Sequence, residues 1–156
     1  MTRTRALVSK ELPAEIELIS HRVIGCAIEV HKELGPGLLE RLYEDALVYE
    51  LREAGIRVEQ QLEIIVPYKG VELRGQRLDV LVEGCLVVEL KAVSQVTELH
   101  RAQLLSYLRA ARLPLGLLLN FNVTWLREGL HRVFNERAIP MESSSSHSSR
   151  PSRSKV

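Results

Sequence analysis

"RLDVLVEGCLVVELKAV", residues 77–93, reads as two apolar runs, "LDVLV" and "CLVVEL", parted by Glu83-Gly84. A glycine at such a break supplies the positive φ of a tight turn, so the spacing predicts an antiparallel hairpin. Alternate side chains of a strand share a face, which sets Glu89 and Lys91 on one side and Val88 and Leu90 on the other. A hairpin turning at 83 and 84 brings Asp79 opposite residues 88 and 89. Two carboxylates and an ammonium then gather on an otherwise apolar sheet. A solvated Glu89–Lys91 pair would account for two of the three and contribute only about 0–1 kcal/mol. The flanking segments must decide between a surface pair and a reactive site.

Upstream, Ile16, Ile19, Val23, Ala27, Val30 and Leu34 recur at three and four, predicting a helix from Pro13 to the "GPG" at 35–37. "LLERLYEDALVYELREAG" predicts a second helix with Leu39, Leu42, Ala46, Tyr49 and Leu51 on or near its inward side and Gly55 as its left-handed cap. "RVEQQLEIIVPY" and "VELRGQRLDVLV", parted by Lys69-Gly70, read as strands that join "CLVVELKA" in a meander. Downstream, "TELHRAQLLSYLRAAR" is a helix burying Leu104, Leu108 and Ala111, and "LGLLLNFNV" is a strand buried on both faces. "GLHRVF" is an edge strand or a short helical turn. The order predicts an α/β fold of three layers, a central mixed β-sheet flanked by helices.

At 156 residues the chain suits one domain with its own core. We place that domain at residues 14–137, with residues 1–13 as an N-terminal arm and 138–156 as a disordered, basic, Ser-rich tail. The formal charge is +1, but Arg150, Arg153 and Lys155 lie in a tail stretch without acids, so the body is slightly acidic. That excludes coating of duplex DNA by bulk charge and leaves room for a local basic groove. Cys26 and Cys85 lack CxxC spacing, which argues against zinc and disulfide frameworks and favours a reducing cytoplasm. No stretch has the ~18 apolar residues of a membrane span.

"GLLERLY" at 37–43 carries Gly37, Glu40 and Tyr43 as G-x-x-E-x-x-Y. With Asp79, "ELK" at 89–91, "QLLSY" at 103–107 and "LLLNFN", it resembles the GxxExxY family of the PD-(D/E)xK nuclease superfamily over roughly residues 14–135. The resemblance implies a restriction-endonuclease-like core and metal-dependent hydrolysis of phosphodiester bonds in nucleic acid. It implies that Glu40, Asp79 and Glu89 face one pocket, that Lys91 sits beside the attacking water, and that the helix of Gln103 flanks the cleft. Mg2+ and Mn2+ take oxygen ligands and keep several waters, so these carboxylates with the main-chain carbonyl of Leu90 suit either ion. Lys91 can orient the water or stabilise the charged transition state.

Glu40 has a plainer reading as a first-turn acid stabilised by the helix dipole. Tyr43 and Tyr107 read as packing residues with a hydroxyl at the cleft rim. His100, Gln103 and Tyr107 share one face of their helix, which is either solvated or in contact with phosphate. Arg101, Arg109 and Arg112 with Lys69, Arg74 and Arg77 would make a basic rim for nucleic acid. Two Phe and one Trp are too few and scattered for a stacking platform. Asn120 and Asn122 read as structural caps. The rival functional reading is a binding or regulatory module that keeps the fold with little or no catalysis.

Overall fold

A computed structural model of the chain describes residues 11–140. The N-terminal arm and Ser-rich tail expected from sequence lie almost wholly outside the described residues. Three α-helices, α1 (Ala14–Leu34), α2 (Glu40–Glu53) and α3 (Glu98–Ala111), accompany strands β1 (Val58–Tyr68), β2 (Val71–Val82), β3 (Leu86–Lys91), β4 (Leu115–Asn120) and β5 (Leu130–Phe134). The strands form one sheet in the order β1-β2-β3-β4-β5. Only β3 and β4 run parallel, because the α3 crossover joins them, and the other neighbours are antiparallel. The sheet is mixed, as the order of elements predicts.

Helices α1 and α2 cover one face. Val23, Ala27 and Val30 of α1 and Tyr43, Leu47, Val48 and Leu51 of α2 pack on Val80, Val88, Leu90, Leu117 and Leu119. On the other face Leu104 and Leu108 of α3 meet Ile64, Leu78, Val87 and Leu118. Each such aliphatic side chain contributes about 1.5–3 kcal/mol when fully buried. All six residues of β4 are buried, as its continuous apolar run predicts. Both meander turns use left-handed pairs, Lys69-Gly70 and Glu83-Gly84. "GLHRVF" is the edge strand of its two alternatives, β5, and a 3-10 turn over Leu126–Gly129 leads into it.

One expectation is corrected. The inward stripe of α2 does not run through Leu39, Leu42 and Tyr49, which are exposed. It runs through Tyr43, Leu47, Val48 and Leu51, with Glu44 beside it. Tyr43 sets this phase: its hydroxyl donates to the Gly35 carbonyl at 2.6 Å and accepts from Leu38 N–H at 3.1 Å. Its ring stacks on Phe121, with centroids 4.5 Å apart and planes 14° apart. A large aromatic ring buried at both ends outweighs the exposed leucines, whose pattern is otherwise helical in either phase. Tyr43 is therefore a core residue that locks the "GPG" turn, rather than a rim residue.

Two close approaches fix the frame around β4. Gly116 faces α3, where an added Cβ would lie 2.8 Å from a Leu104 methyl. At Gly129 the added carbon would fall 2.0 Å from the Asn120 carbonyl oxygen. Backbone cannot yield as a side chain can. Gly129→Ala is therefore expected to cost at least the ~1–3 kcal/mol typical of overpacking in urea unfolding. Gly25→Ala, in open space on α1, is expected to gain about 0.5–1 kcal/mol. Equal midpoints for the two variants would refute the close approach at Gly129.

Candidate active site

The hairpin of β2 and β3 pairs over only three positions, Val80↔Val88, Leu81↔Val87 and Val82↔Leu86. At the next position the strands part and side chains replace the ladder. Asp79 N–H donates to Glu89 Oε1 at 3.2 Å, and Leu90 N–H donates to Asp79 Oδ2 at 3.0 Å. Asp79 is thus opposite Glu89, as the turn position predicts. The regular alternation of β2 also breaks here. Leu78 and Val80 are two residues apart and would share a face in a regular strand, yet they pack into opposite clusters.

The cause of the break lies across the sheet, in β1. Gln61, facing Asp79, has φ 54°, a left-handed backbone that a non-glycine residue rarely adopts. Its carbonyl accepts from Arg77 Nη1 at 2.8 Å. Its side-chain amide donates to Glu44 Oε1 at 2.7 Å and reaches Asp79 Oδ1 at 3.5 Å. Glu44, only 4 % exposed, also accepts from the Gln60 amide. Burial pushes the Glu44 carboxyl above the usual range, against the pull of both glutamine bonds.

Glu89 is 6 % exposed. Burial first, and then the Asp79 charge, push its carboxyl up to about 8, while Lys91 pulls the other way. Lys91 is half-buried at the strand end, in register with Asn120, and its carbonyl accepts from Phe121 N–H at 2.9 Å. Over this group lies Tyr107, half-buried, its phenol raised by burial and by the Glu89 charge and hydrogen-bonded to Gln76. Asn120 is structural: its amide group clamps Val93 through both N–H and carbonyl, at 3.1 and 2.9 Å.

Glu40, the first residue of α2, is exposed, and its Oε1 accepts from Ala92 N–H at 3.3 Å. Glu40 therefore comes to the same strand end as Glu89, from the helix layer of the other face. Among the described residues, no three His, Cys, Asp or Glu side chains are gathered as a ready metal site. Only Asp79 and Glu89 are in direct exchange, and the amides of Gln60 and Gln61 occupy the neighbouring carboxylate of Glu44.

Of the nucleic-acid contacts expected on α3, His100 and Arg101 are otherwise employed. His100 closes a capping box with Thr97, its Nδ1 accepting from Thr97 N–H at 3.0 Å. One residue on, and so about 100° around the helix, Arg101 turns to β5, 2.9 Å from His131 Nδ1. Gln103 is exposed and Tyr107 faces the acids. Of the hairpin cations, Arg74 pairs with Glu72, whereas Arg77 donates to the Gln61 carbonyl and Lys69 lies over Tyr68, both keeping their charge. Sequence reasoning missed Glu44, Gln60, Gln61 and Gln76. The adjacent half-buried glutamines of β1 were the available signal, because amides sheltered from water require partners.

The raised Glu89 carboxyl links the site to stability. Its folded value near 8 exceeds the ordinary 4.5, so the native state holds a proton that the unfolded chain has released. Stability is therefore fully present below pH 4.5 and is lost as pH rises toward 8. In EDTA, the melting temperature is expected to fall over this window in the parent protein, and to fall less in Glu89→Gln, which cannot ionise. Identical pH slopes in differential scanning calorimetry would show that Glu89 is not the group responsible.

No curated protein and no solved structure matches the chain. The sequence profile of the PD-(D/E)XK nuclease superfamily matches residues 17–133, which span both helical layers and every strand. Three helices around a five-stranded mixed sheet are the α/β architecture of the restriction-endonuclease-like core, and the chain belongs to the PD-(D/E)XK nuclease superfamily.

Proposed function

We propose that the chain is a metal-dependent phosphodiesterase of the GxxExxY type that cleaves nucleic acid, with residues 14–137 as its catalytic unit. The observation that carries this reading is the Asp79–Glu89 exchange at the point where β2 and β3 separate, with Lys91 next on the same face as Glu89. A solvated surface pair would not bury Glu89, nor spend two backbone N–H groups on two neighbouring acids.

The donors are hard oxygens, which fit Mg2+ or Mn2+ and not a thiolate-seeking ion. Asp79 and Glu89 would hold the cation with the Leu90 carbonyl, and Glu40 would join from the end of α2, directly or through water. A cation so held polarises the phosphate and lowers the pKa of bound water. The remaining work belongs to the chain. Lys91, with its backbone pinned by Phe121 N–H, orients the water and offsets charge on the phosphate. Gln61 steadies Asp79 against Glu44. Gln103 and Tyr107 on α3 face the substrate strand, DNA or RNA.

Among the described residues, no helix is long and apolar enough to cross a membrane. Both cysteines are free and half-buried, which supports residence in a reducing cytoplasm. The second reading, a nucleic-acid-binding module without turnover, draws on the lack of a gathered three-ligand set among the described residues.

Glu89→Ala and Lys91→Ala separate the roles. Both are expected to lower cleavage roughly a hundredfold or more, the scale of losing one oriented charged group. Calorimetric titration with Mn2+ should show weakened binding for Glu89→Ala and unchanged or tighter binding for Lys91→Ala, since a neighbouring positive charge is gone. Normal cleavage by Lys91→Ala would remove Lys91 from the mechanism. Binding of metal and nucleic acid by the parent protein without cleavage of any single- or double-stranded substrate would favour the binding module.

A further inference from the structure

Beyond the acids, the β4–β5 connection folds back onto the end of α1. There Ile28, His31, Lys32, Trp125, Leu126 and Arg127 line an open cavity of about 440 Å3, within the roughly 300–1,000 Å3 of small-ligand pockets. Trp125, the sole tryptophan of the chain, is 61 % exposed. The cavity is built on fixed parts. His31 is buried, its Nε2 lies 2.9 Å from the Val123 carbonyl oxygen, and its ring tilts against Phe121 at 6.1 Å. The return of the chain is held by the close approach of Gly129 to Asn120.

Two further observations bear on what fills the cavity. Lys32 and Arg127, on its walls, are exposed and make no ion pair among the described residues. The loop also starts at the candidate site, since Phe121 N–H binds the Lys91 carbonyl and the Phe121 ring stacks on Tyr43 of the helix that carries Glu40. An exposed indole between two unpaired cations suits a ligand with a flat apolar face and anionic flanks.

We propose that this cavity takes one unstacked base of a single-stranded nucleic acid against Trp125, with the adjoining phosphates on Lys32 and Arg127. The inference rests on nucleic acid being the substrate and specifies that the strand entering the site is unpaired here. No extended stacking platform is needed. Aromatic stacking accepts any base, so the pocket adds affinity for single strands with little sequence preference.

Because Trp125 is the only tryptophan, its fluorescence reports the pocket directly. Titrations in EDTA, where no cleavage intervenes, compare a short oligothymidylate with an abasic strand of equal length. The oligothymidylate is expected to quench the emission and bind more tightly. Followed by the anisotropy of an end-labelled oligothymidylate, since both variants lack the indole, Trp125→Ala should weaken that binding roughly five- to a hundredfold, while Trp125→Phe retains most of it, with circular dichroism unchanged in both. Lys32→Ala and Arg127→Ala should each lower the salt slope of binding by about 0.7. Equal binding and quenching by the abasic strand, or Trp125→Ala binding as tightly as the parent, would overturn the proposal. So would an emission shift that grows with protein concentration alone, which would assign the cavity to a second copy of the chain. Base-dependent quenching without cleavage in Mn2+ upholds the pocket and sinks the nuclease reading. Cleavage with binding unaffected by Trp125→Ala does the reverse.

Discussion

Two bonds decide the shape of the site: Asp79 N–H to Glu89 and Leu90 N–H to Asp79. A hairpin would ordinarily continue its ladder through backbone carbonyls. Here each strand satisfies a donor with the other strand's carboxylate, so the strands part without orphaning either N–H group. The opening leaves two acids side by side at a sheltered point. Burial first, and the crowding of the two acids second, raise the Glu89 carboxyl, and the Asp79 N–H offsets part of that rise. A sheltered pair of acids that retains a proton at neutral pH is one where a divalent cation can take the proton's place.

The rest of the fold holds that opening still. Gln61 takes a left-handed backbone opposite Asp79 and ties it to Glu44 on α2, so β1, β2 and α2 meet at one amide. Tyr43 bonds the "GPG" turn and stacks on Phe121, which binds the Lys91 carbonyl. Through this chain of contacts the N-terminus of α2, the end of β3 and the end of β4 form one rigid corner. The G-x-x-E-x-x-Y spacing then has a structural meaning. The tyrosine anchors the turn, and the glutamate one helical turn earlier is delivered to the strand end at Ala92.

Membership in the PD-(D/E)XK nuclease superfamily agrees with this arrangement without fixing its chemistry. What the geometry adds is a division of labour among acids. Asp79 and Glu89 exchange bonds directly, Glu40 stands at the rim, and Glu44 is buried and engaged by amides. Of the cations expected to form a rim over them, Arg74 and Arg101 are paired with Glu72 and Glu98, while Arg77 donates to a backbone carbonyl and keeps its charge. Among the described residues, unpaired positive charge also lies beside Trp125, on Lys32 and Arg127, at the far end of the loop that leaves β4.

The layered fold was legible in sequence because each element carries a local period: three and four in α1 and α3, two in the meander, and an unbroken apolar run in β4. The opposition of Asp79 and Glu89 was equally legible, since a two-residue turn at Glu83-Gly84 fixes register by counting. The phase of α2 was not. Its leucines fit two rotations, and only the distant Phe121 and Gly35 choose between them by burying Tyr43. The same limit hid the contact of Glu44 with Gln61, separated by 17 residues. Local pattern sets which face a residue occupies along its own element, whereas partners from other elements decide whether a polar group there is free for chemistry or already satisfied.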